Sequence, residues 1–145
     1  MIRTMELTDC DRVYKIENEC FFEPWSKKNL IKDLKTNKHK RHFVYDIKGE
    51  AVGFYIISKI LDEVEIYTIA VDKAFRGQDI GTFMLKRLIE DCIRLKVSKI
   101  WLEVSTKNDK ALGLYEKFDF KKIRLRKNYY SKTNEDAYIM LKELV

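Results

Sequence analysis

The sequence predicts one mixed α/β domain with a mostly antiparallel central sheet and helices on both of its faces. Its 145 residues are close to the usual size of a single domain, so we expect one domain over residues 1–145. The apolar period changes along the chain between about 3.6 residues, typical of helices, and about two residues, typical of strands. Five glycines, one proline and no low-complexity segment indicate no linker and no repeat.

The predicted elements follow one another in the order β-α-α-β-β-β-α-β-α-β-β. Ile2 to Met5 form a short first strand, and Thr8 is a suitable N-cap for a helix to about Cys20. Pro24 breaks the chain after this helix, because the residue before a proline avoids helical geometry. Ser26 then caps a second helix.

An antiparallel meander is predicted after the second helix. The two-residue period begins at His42 and predicts a strand to Ile47, and Lys48-Gly49-Glu50 predicts a turn. Two further strands are expected over residues 51–61 and 64–71, with a turn at Asp62-Glu63 between them.

The second half of the chain alternates helices and strands. A polar loop over residues 72–81 leads into a helix, and a strand over 99–104 leads through a loop into a short helix over 109–117. Two closing strands are expected over residues 120–129 and 136–141. The first of these helices has one apolar stripe, made of Met84, Leu85, Leu88, Ile89, Cys92 and Leu95.

Composition excludes several classes of protein. Apolar residues make up 46% of the chain and aromatic residues 12%, which excludes a disordered chain. No apolar run approaches the roughly 18 residues of a membrane span, and the N-terminus lacks the apolar core of a signal peptide, so a cytoplasmic protein is expected. The spacing of Cys10, Cys20 and Cys92 fits neither a disulfide framework nor a zinc site, so we expect no metal.

Positive charge is concentrated in two stretches. The net charge is +6, and the segments from Lys27 to His42 and from Lys117 to Lys132 each hold seven Lys or Arg residues against a single acid. This balance suits an anionic ligand, a phosphorylated cofactor or an RNA-rich partner. A solvated, lysine-rich surface is the alternative, so charge alone does not decide between them.

The loop at residues 72–81 has the arrangement of a phosphate site. It follows a strand, carries Gly77 and opens into a helix, whose first N–H groups and positive dipole end point at a ligand. The loop lacks the Gly-Lys-Ser/Thr of a Walker motif, and its two glycines, Gly77 and Gly81, do not make a dinucleotide fingerprint. An ordinary connection between a strand and a helix is the alternative.

Ile69-Ala70-Val71, followed by Arg76-Gly77-Gln78-Asp79-Ile80-Gly81, resembles the acetyl-CoA signature of the GNAT superfamily of N-acetyltransferases, Arg/Gln-x-x-Gly-x-Gly/Ala. Within it, nearly the whole chain resembles the ribosomal-protein-alanine N-acetyltransferases (RimI type). The family's middle glycine is Asp79 here. The matching pieces are Phe22-Glu23-Pro24-Trp25-Ser26, Ile69-Ala70-Val71-Asp72, Trp101-Leu102-Glu103-Val104, Asn108, Leu114-Tyr115-Glu116 and Arg126-Lys127-Asn128-Tyr129-Tyr130.

The resemblance implies a GNAT-like fold and acetyl-CoA as cosubstrate. The strands over 64–71 and 99–104 would part and admit the pantetheine arm, and the N–H groups of Gly77 to Thr82 would receive the pyrophosphate. Asn108 is implied as a further contact, with a plain helix N-cap as the alternative. The cofactor contacts implied are Ile69, Ala70, Val71, Arg76, Gly77, Gln78, Asp79, Ile80, Gly81, Thr82 and Asn108.

The resemblance also implies the catalytic groups. Glu103 corresponds to the family's general base, and its alternative is a surface acid on an edge strand. Tyr115 corresponds to the general acid, and its alternative is packing in the core beside Leu112 and Phe118. A backbone N–H near Val71 would meet the developing oxyanion.

Aromatic residues are the expected acceptor contacts. They are Phe22 and Trp25 in the loop between the first two helices, and Tyr129 and Tyr130 near the end of a closing strand. Trp25 as a plug of the core is an equal alternative.

The function implied is acetylation of a protein N-terminus, namely the N-terminal alanine of a small-subunit ribosomal protein. We expect no membrane partner and no direct sequence-specific binding to nucleic acid. The alternatives are acetylation of a small amine or a lysine side chain, and a non-catalytic acyl-CoA-binding module motivated by Asp79.

Overall fold

The computed structural model describes residues 1–20, 26–36, 39–130 and 135–144. Across these ranges the chain forms α-helices α1–α4, strands β1–β7 and two short 3₁₀ turns at Leu7–Asp9 and Lys73–Phe75. None of the helices in the described part of the chain is long and apolar enough to cross a membrane. The helices and strands are β1 (Ile2–Thr4), α1 (Cys10–Cys20), α2 (Lys27–Thr36), β2 (Lys40–Ile47), β3 (Glu50–Ile60), β4 (Glu63–Val71), α3 (Ile80–Arg94), β5 (Lys99–Ser105), α4 (Asp109–Lys117), β6 (Lys121–Tyr130) and β7 (Glu135–Glu143).

The strands form one sheet in the order β1-β2-β3-β4-β5-β7-β6. Neighbouring strands are antiparallel except β4 and β5, which are parallel. The predicted order of elements and the mostly antiparallel sheet are therefore confirmed. The first closing strand begins and ends one residue later than predicted, and the second begins one residue earlier and ends two residues later.

The predicted cap of the first helix is wrong. Thr8 lies inside the 3₁₀ turn, and α1 begins only at Cys10. The turn is organised around the buried Asp9, whose carboxylate accepts the Glu6 N–H at 2.8 Å. Both terminal nitrogens of Arg3 also donate hydrogen bonds to this carboxylate, at 2.7 and 2.8 Å. Ser26 is confirmed as the cap of α2, because its Oγ accepts the N–H of Asn29 at 3.1 Å.

The core has two parts, each joining helices to residues of the sheet. Each large apolar side chain removed from water contributes roughly 1.5–3 kcal/mol, so both parts hold the helices firmly. The part that includes α1 and α2 contains Val13, Ile16, Leu30, Val44, Phe54 and Ala70. The part that includes α3 and α4 contains Met84, Leu85, Leu88, Ile100, Leu102 and Leu112.

The connection after β4 is anchored by a nearly buried ion pair. Arg12 of α1 places Nη2 at 2.5 Å from Asp72 Oδ2 and donates from Nε to the carbonyl of Ala51 at 3.2 Å. The other Asp72 oxygen accepts the N–H of Ala74 at 2.9 Å. Burial alone would raise the pKa of Asp72, but the Ala74 N–H and the Arg12 guanidinium outweigh it and lower the pKa. The start of the loop at residues 72–79 is thereby fixed.

Replacing Asp72 by asparagine should destabilise the fold in a pH-dependent way. At pH 7, Asp72→Asn should lower the free energy of unfolding by ~1–3 kcal/mol, because Arg12 loses its buried partner. Since the pKa of Asp72 is lowered on folding, this stabilisation is present above the unfolded-state value of about 3.9 and is lost as the pH falls below it. Urea unfolding at pH 7 and near pH 3 measures the difference.

The matched control is Asp11→Asn, because Asp11 also pairs with a cation but its side chain is 77% exposed. That variant should change the free energy of unfolding by less than ~0.5 kcal/mol. Equal effects of the two substitutions, or an Asp72→Asn effect that does not depend on pH, would contradict the anchoring role.

Candidate active site

Strands β4 and β5 separate partway along their length. They pair from Glu63 with Lys99 up to Ile66 with Leu102, and within these fully described strands no pair follows. Against β3, Ile66 and Thr68 of β4 pair with successive residues, so Tyr67 is an extra residue in β4. Such a bulge bends its strand, and here it coincides with the point where β4 leaves β5. We call the space between residues 67–71 and 103–105 the inter-strand gap.

One wall of the inter-strand gap is the predicted cofactor segment of β4. Ile69, Ala70 and Val71 remain paired with β3 on one side, so their backbone is held in an extended conformation. Ala70 is buried in the core beside α1, whereas Ile69 and Val71 pack against the core beside α3. The segment therefore offers a rigid strand edge toward the gap.

The loop before α3 has the backbone geometry of an anion site. Gly77 has a φ of +82°, and Asp79 has a φ of 60° and a ψ of 22° in the left-handed region. Asp79 accepts the N–H of Phe83 through its carbonyl oxygen at 3.0 Å, but its side chain makes no capping hydrogen bond. The first N–H groups of α3 are thus left for a ligand, which fits the diphosphate of a CoA-type cofactor.

The remaining loop residues surround this helix start. Arg76 and Gln78 are exposed, Ile80 is buried and Thr82 is half-buried. A Cβ atom on Gly81 would lie 3.8 Å from Val71 Cγ2 and 3.9 Å from Leu114 Cδ2. Gly81 therefore marks the point where the end of β4, the start of α3 and α4 come together.

Arg76 contacts the C-terminal end of α1. Its Nη2 lies 3.0 Å from Cys20 Sγ, and the same thiol lies 3.7 Å from the carbonyl oxygen of Val71. Burial raises the pKa of the Cys20 thiol despite the nearby Arg76 cation. Cys20 is therefore a packed, protonated thiol, as are the buried Cys10 and Cys92, and all three cysteines are free.

Glu103 projects from β5 on the side opposite the core. The strand alternates, with Ile100, Leu102 and Val104 buried. The Glu103 side chain is 22% exposed, and its Oε1 accepts a hydrogen bond from Arg126 Nη1 at 2.7 Å. Its Oε2 is buried, and no donor among the described residues reaches it. A buried acceptor without a partner costs about 1–3 kcal/mol, so Oε2 is ready for a donor from a ligand.

The surface beside Glu103 is acidic. Glu65 lies on the neighbouring β4, and its pKa is raised by burial and by the charge of Glu103, with a smaller opposing effect of Lys40. Trp101, which precedes Glu103 on the same side of β5, donates its indole N–H to Glu63 Oε1 at 2.6 Å. In a chain of net charge +6, this acidic patch favours a cationic acceptor.

Tyr115 is buried in the core on the α3 and α4 side. It is 6% exposed, it shares this core with Leu112, and its ring centroid lies 5.7 Å from that of Phe120. Glu103 projects from the other side of β5, so the two predicted catalytic side chains lie on opposite faces of the sheet. The core packing that was the alternative interpretation of Tyr115 is present.

Other predicted residues fall in different places. Asn108 is the N-cap of α4, and its Oδ1 accepts the N–H of Ala111 at 3.2 Å, which leaves its amide nitrogen for a ligand. Phe22 and Trp25 lie outside the described residues. Tyr129 is 40% exposed on β6, and Tyr130 is the last residue of that strand.

The contact of Arg126 with Glu103 was not predicted from the sequence. Its guanidinium contacts Glu103 and also lies over the ring of Tyr129, with Cζ 4.6 Å from the centroid. The segment that contains Arg126 is one of those that carry the family resemblance. Its sequence pattern, however, does not indicate a contact with a residue two strands away. The strand register alone brings these residues together.

Comparison with known proteins agrees with this geometry. Residues 10–120 match the model of the Acetyltransferase (GNAT) family. The chain is 34% identical over 143 residues to the ribosomal protein bS18-alanine N-acetyltransferase of Escherichia coli (strain K12), covering 96% of this chain and 94% of that protein.

Solved structures agree as well. The crystal structure of the ribosomal-protein-S18-alanine N-acetyltransferase from Escherichia coli has a TM-score of 0.90 at 32% identity, covering 99% of this chain and 93% of that one. Ard1 from Thermoplasma volcanium has a TM-score of 0.89 at 28% identity, covering 100% and 97%. The fold, the loop before α3 and these matches agree, and the chain belongs to the GNAT family of acetyltransferases, which use acetyl-CoA, and is an N-acetyltransferase.

Proposed function

We propose that this enzyme transfers the acetyl group of acetyl-CoA to the α-amino group of a protein N-terminus, the N-terminal alanine of a small-subunit ribosomal protein. The observation that carries the proposal is the inter-strand gap, with an anion site at one end and the unpartnered Glu103 oxygen on the other face. The name of the Escherichia coli relative supports this acceptor. We propose further that residues 1–145 act as one cytoplasmic domain and that the reaction needs no metal.

The donor side of the gap would bind the cosubstrate through the backbone. The edge of β4 at Ile69 and Val71 would pair with the amides of the pantetheine arm as an added strand does. The N–H groups from Gly77 to Thr82 would receive the diphosphate at the positive end of α3. Acetyl-CoA supplies the activated acetyl group and a thiol leaving group.

The acceptor side of the gap would remove a proton from the amine. An α-amino group has an ordinary pKa of about 7.7–8.0, so near neutral pH a carboxylate acting directly or through one water is sufficient to take its proton. In this proposal the Glu103 carboxylate accepts that proton. The acidic patch with Glu65 would attract the ammonium form of the acceptor before it loses the proton.

The leaving thiolate needs a proton from the other face of the sheet. The hydroxyl of Tyr115, with a reference pKa near 10, is protonated at neutral pH and can give its proton to a thiolate with a reference value of about 8.5. The oxyanion of the reacting carbonyl would be met by a backbone N–H near Val71. The acceptor ammonium would thus lose two protons, one to Glu103 before the attack and one as the amide forms, and the second balances the proton that Tyr115 gives to the thiolate.

A competition among acceptors tests the proposed function. The purified enzyme is given acetyl-CoA with the small-subunit ribosomal protein, with its N-terminal peptide, with the same peptide blocked at the α-amine, and with a free polyamine. We expect one acetyl group at residue 1 of the protein and the open peptide, located by mass spectrometry, and none on the blocked peptide. A larger kcat/KM for the polyamine or for a lysine side chain would overturn the proposed acceptor.

Glu103→Gln tests the base. The substitution keeps the size of the side chain but removes its ability to take a proton, so kcat near neutral pH should fall by about 10²–10⁴-fold. Acetyl-CoA affinity should not change, because Glu103 lies on the acceptor side of the gap. Glu63→Gln is the matched control, since Glu63 is on the same acidic patch but is hydrogen-bonded to Trp101. A Glu103→Gln enzyme with the pH–rate profile of the unmodified enzyme would exclude Glu103 from the mechanism.

Asp79 should weaken cofactor binding through its charge. Asp79→Gly removes a carboxylate near two phosphates and keeps the left-handed backbone, so acetyl-CoA should bind about three- to thirty-fold tighter, or ~0.7–2 kcal/mol. Asp79→Asn separates charge from backbone, because asparagine also tolerates this conformation, and it should give most of the same gain. Isothermal titration at two salt concentrations should show the larger gain at low ionic strength.

Two results would contradict this account of Asp79. Equal affinities of all three proteins would mean that the carboxylate points into solvent, away from the phosphates. Weaker binding by Asp79→Gly than by the unmodified enzyme would mean that Asp79 stabilises the loop.

A further inference from the structure

Arg126 reaches Glu103 across the intervening strand β7. In the strand register, Ala137 of β7 lies between Arg126 and Ser105, and Ile139 lies beside Glu103. Arg126 is therefore placed two strands from β5 and one diagonal step from Glu103. The methyl side chain of Ala137 is small, so it leaves room over β7 for the arginine side chain. Arg126 Nη1 lies 2.7 Å from Glu103 Oε1.

This contact distinguishes the two oxygens of Glu103. Oε1 accepts a charge-assisted hydrogen bond from Arg126, whereas Oε2 is buried and receives none from the described part of the chain. A carboxylate held at one oxygen has little freedom to rotate, so the same oxygen is always presented to the acceptor. The oxygen that is already satisfied by a cation is the poorer proton acceptor of the two.

Titratable and charged groups lie on the three strands β4, β7 and β6 around Glu103. Glu65 and the phenol of Tyr67 lie on β4, Glu135 lies on β7 where it accepts the hydroxyl of Ser105, and Arg126 and Arg124 lie on β6. Glu65 repels the Glu103 carboxylate. Arg126 is the cation of this group that contacts Glu103 directly, so it offsets the repulsion between the two carboxylates.

The same guanidinium also contacts an expected acceptor residue. Its Cζ lies 4.6 Å above the ring of Tyr129, within the range of a cation–π interaction. Tyr129 is 40% exposed, so an acceptor peptide that packs on its ring also meets the guanidinium. One side chain thus joins the base to the surface where the acceptor would lie.

We propose that Arg126 is a positioning residue, which holds Glu103 through Oε1 so that Oε2 takes the proton of the acceptor amine, and which links Glu103 to acceptor binding through Tyr129. This inference rests on the proposed function of Glu103. It goes beyond that function in two ways. It names Oε2 as the oxygen that takes the proton, and it assigns the orientation of Glu103 to a residue of β6.

The simpler explanation of the contact is a surface ion pair that ties β6 to β5. Half-exposed pairs of this kind contribute little to stability, and the Arg126 side chain is 49% exposed. A purely structural pair would change the melting temperature slightly and would leave the pH dependence and the acceptor KM unchanged. Those two readouts therefore separate the explanations.

The experiment compares Arg126→Gln, Arg126→Lys and the control Arg124→Gln, which removes a cation from the same strand. The carboxyl titration of Glu103 is followed by NMR with ¹³C-labelled glutamate in the acceptor-free protein, so it does not depend on the identity of the acceptor. In Arg126→Gln the midpoint should move up by about 0.5–1 unit, because the supporting cation is lost at a partly exposed site. In Arg126→Lys the midpoint should return most of the way to that of the unmodified protein. In Arg124→Gln it should move less than in Arg126→Gln.

Kinetics complete the test. Arg126→Gln should lower kcat about ten- to a hundred-fold and raise the acceptor KM, with acetyl-CoA affinity unchanged, because the base is misplaced and the Tyr129 contact is lost. Arg126→Lys should recover the pH profile better than kcat, since one ammonium cannot reproduce the fork geometry. A titration midpoint, pH profile and acceptor KM in Arg126→Gln that match Arg124→Gln would overturn the proposal.

Two further outcomes are decisive. If Arg126→Gln does not fold, the folded Arg126→Lys enzyme decides: a kcat and an acceptor KM equal to those of the unmodified enzyme would assign a structural role and overturn the proposal. The predicted titration shifts in an enzyme that acetylates only a free amine would support the positioning of Glu103 and overturn the proposed protein acceptor alone.

Discussion

The rest of the site depends on the separation of β4 from β5. After Ile66 and Leu102 the two parallel strands no longer pair, and the extra residue Tyr67 bends β4 at that point. A continuous sheet would leave no passage between its faces and no unpaired backbone on β4. Where the pairing ends, the backbone of β4 at residues 67–71 keeps an edge that β5 does not occupy.

The loop before α3 is held from both of its ends. Arg12 and Asp72 fix its start against α1, and the core of α3 fixes its end. Asp79 adopts the left-handed conformation that costs an ordinary L-residue roughly 1–2 kcal/mol, less for aspartate, so the surrounding structure determines the backbone there. The Asp79 side chain adds a carboxylate to this loop and makes no capping hydrogen bond of its own.

The local features of the fold could be predicted from the sequence, and the long-range ones could not. The order of elements, the Ser26 cap and the left-handed tolerance of Asp79 follow from periodicity and residue type. The Thr8 cap was wrong because Asp9 and Arg3, six residues apart, organise a 3₁₀ turn over Leu7–Asp9, which the apolar pattern of the helix does not indicate. The contact of Arg126 with Glu103 depends on three strands in register, which no local pattern encodes. The roles of Glu103, Tyr115 and the cofactor residues stay predictions.

Amide hydrogen exchange with and without bound CoA tests the inter-strand gap most directly. Bound CoA should slow exchange at Ile69 or Val71 and at the loop amides from Gly77 to Thr82, because these amides gain hydrogen-bond partners. The amides of residues 64–66, which lie in the paired part of β4, should change little. Protection that leaves residues 67–71 unchanged, or that falls on the outer edge of β6, would contradict the claim that the gap receives the cosubstrate.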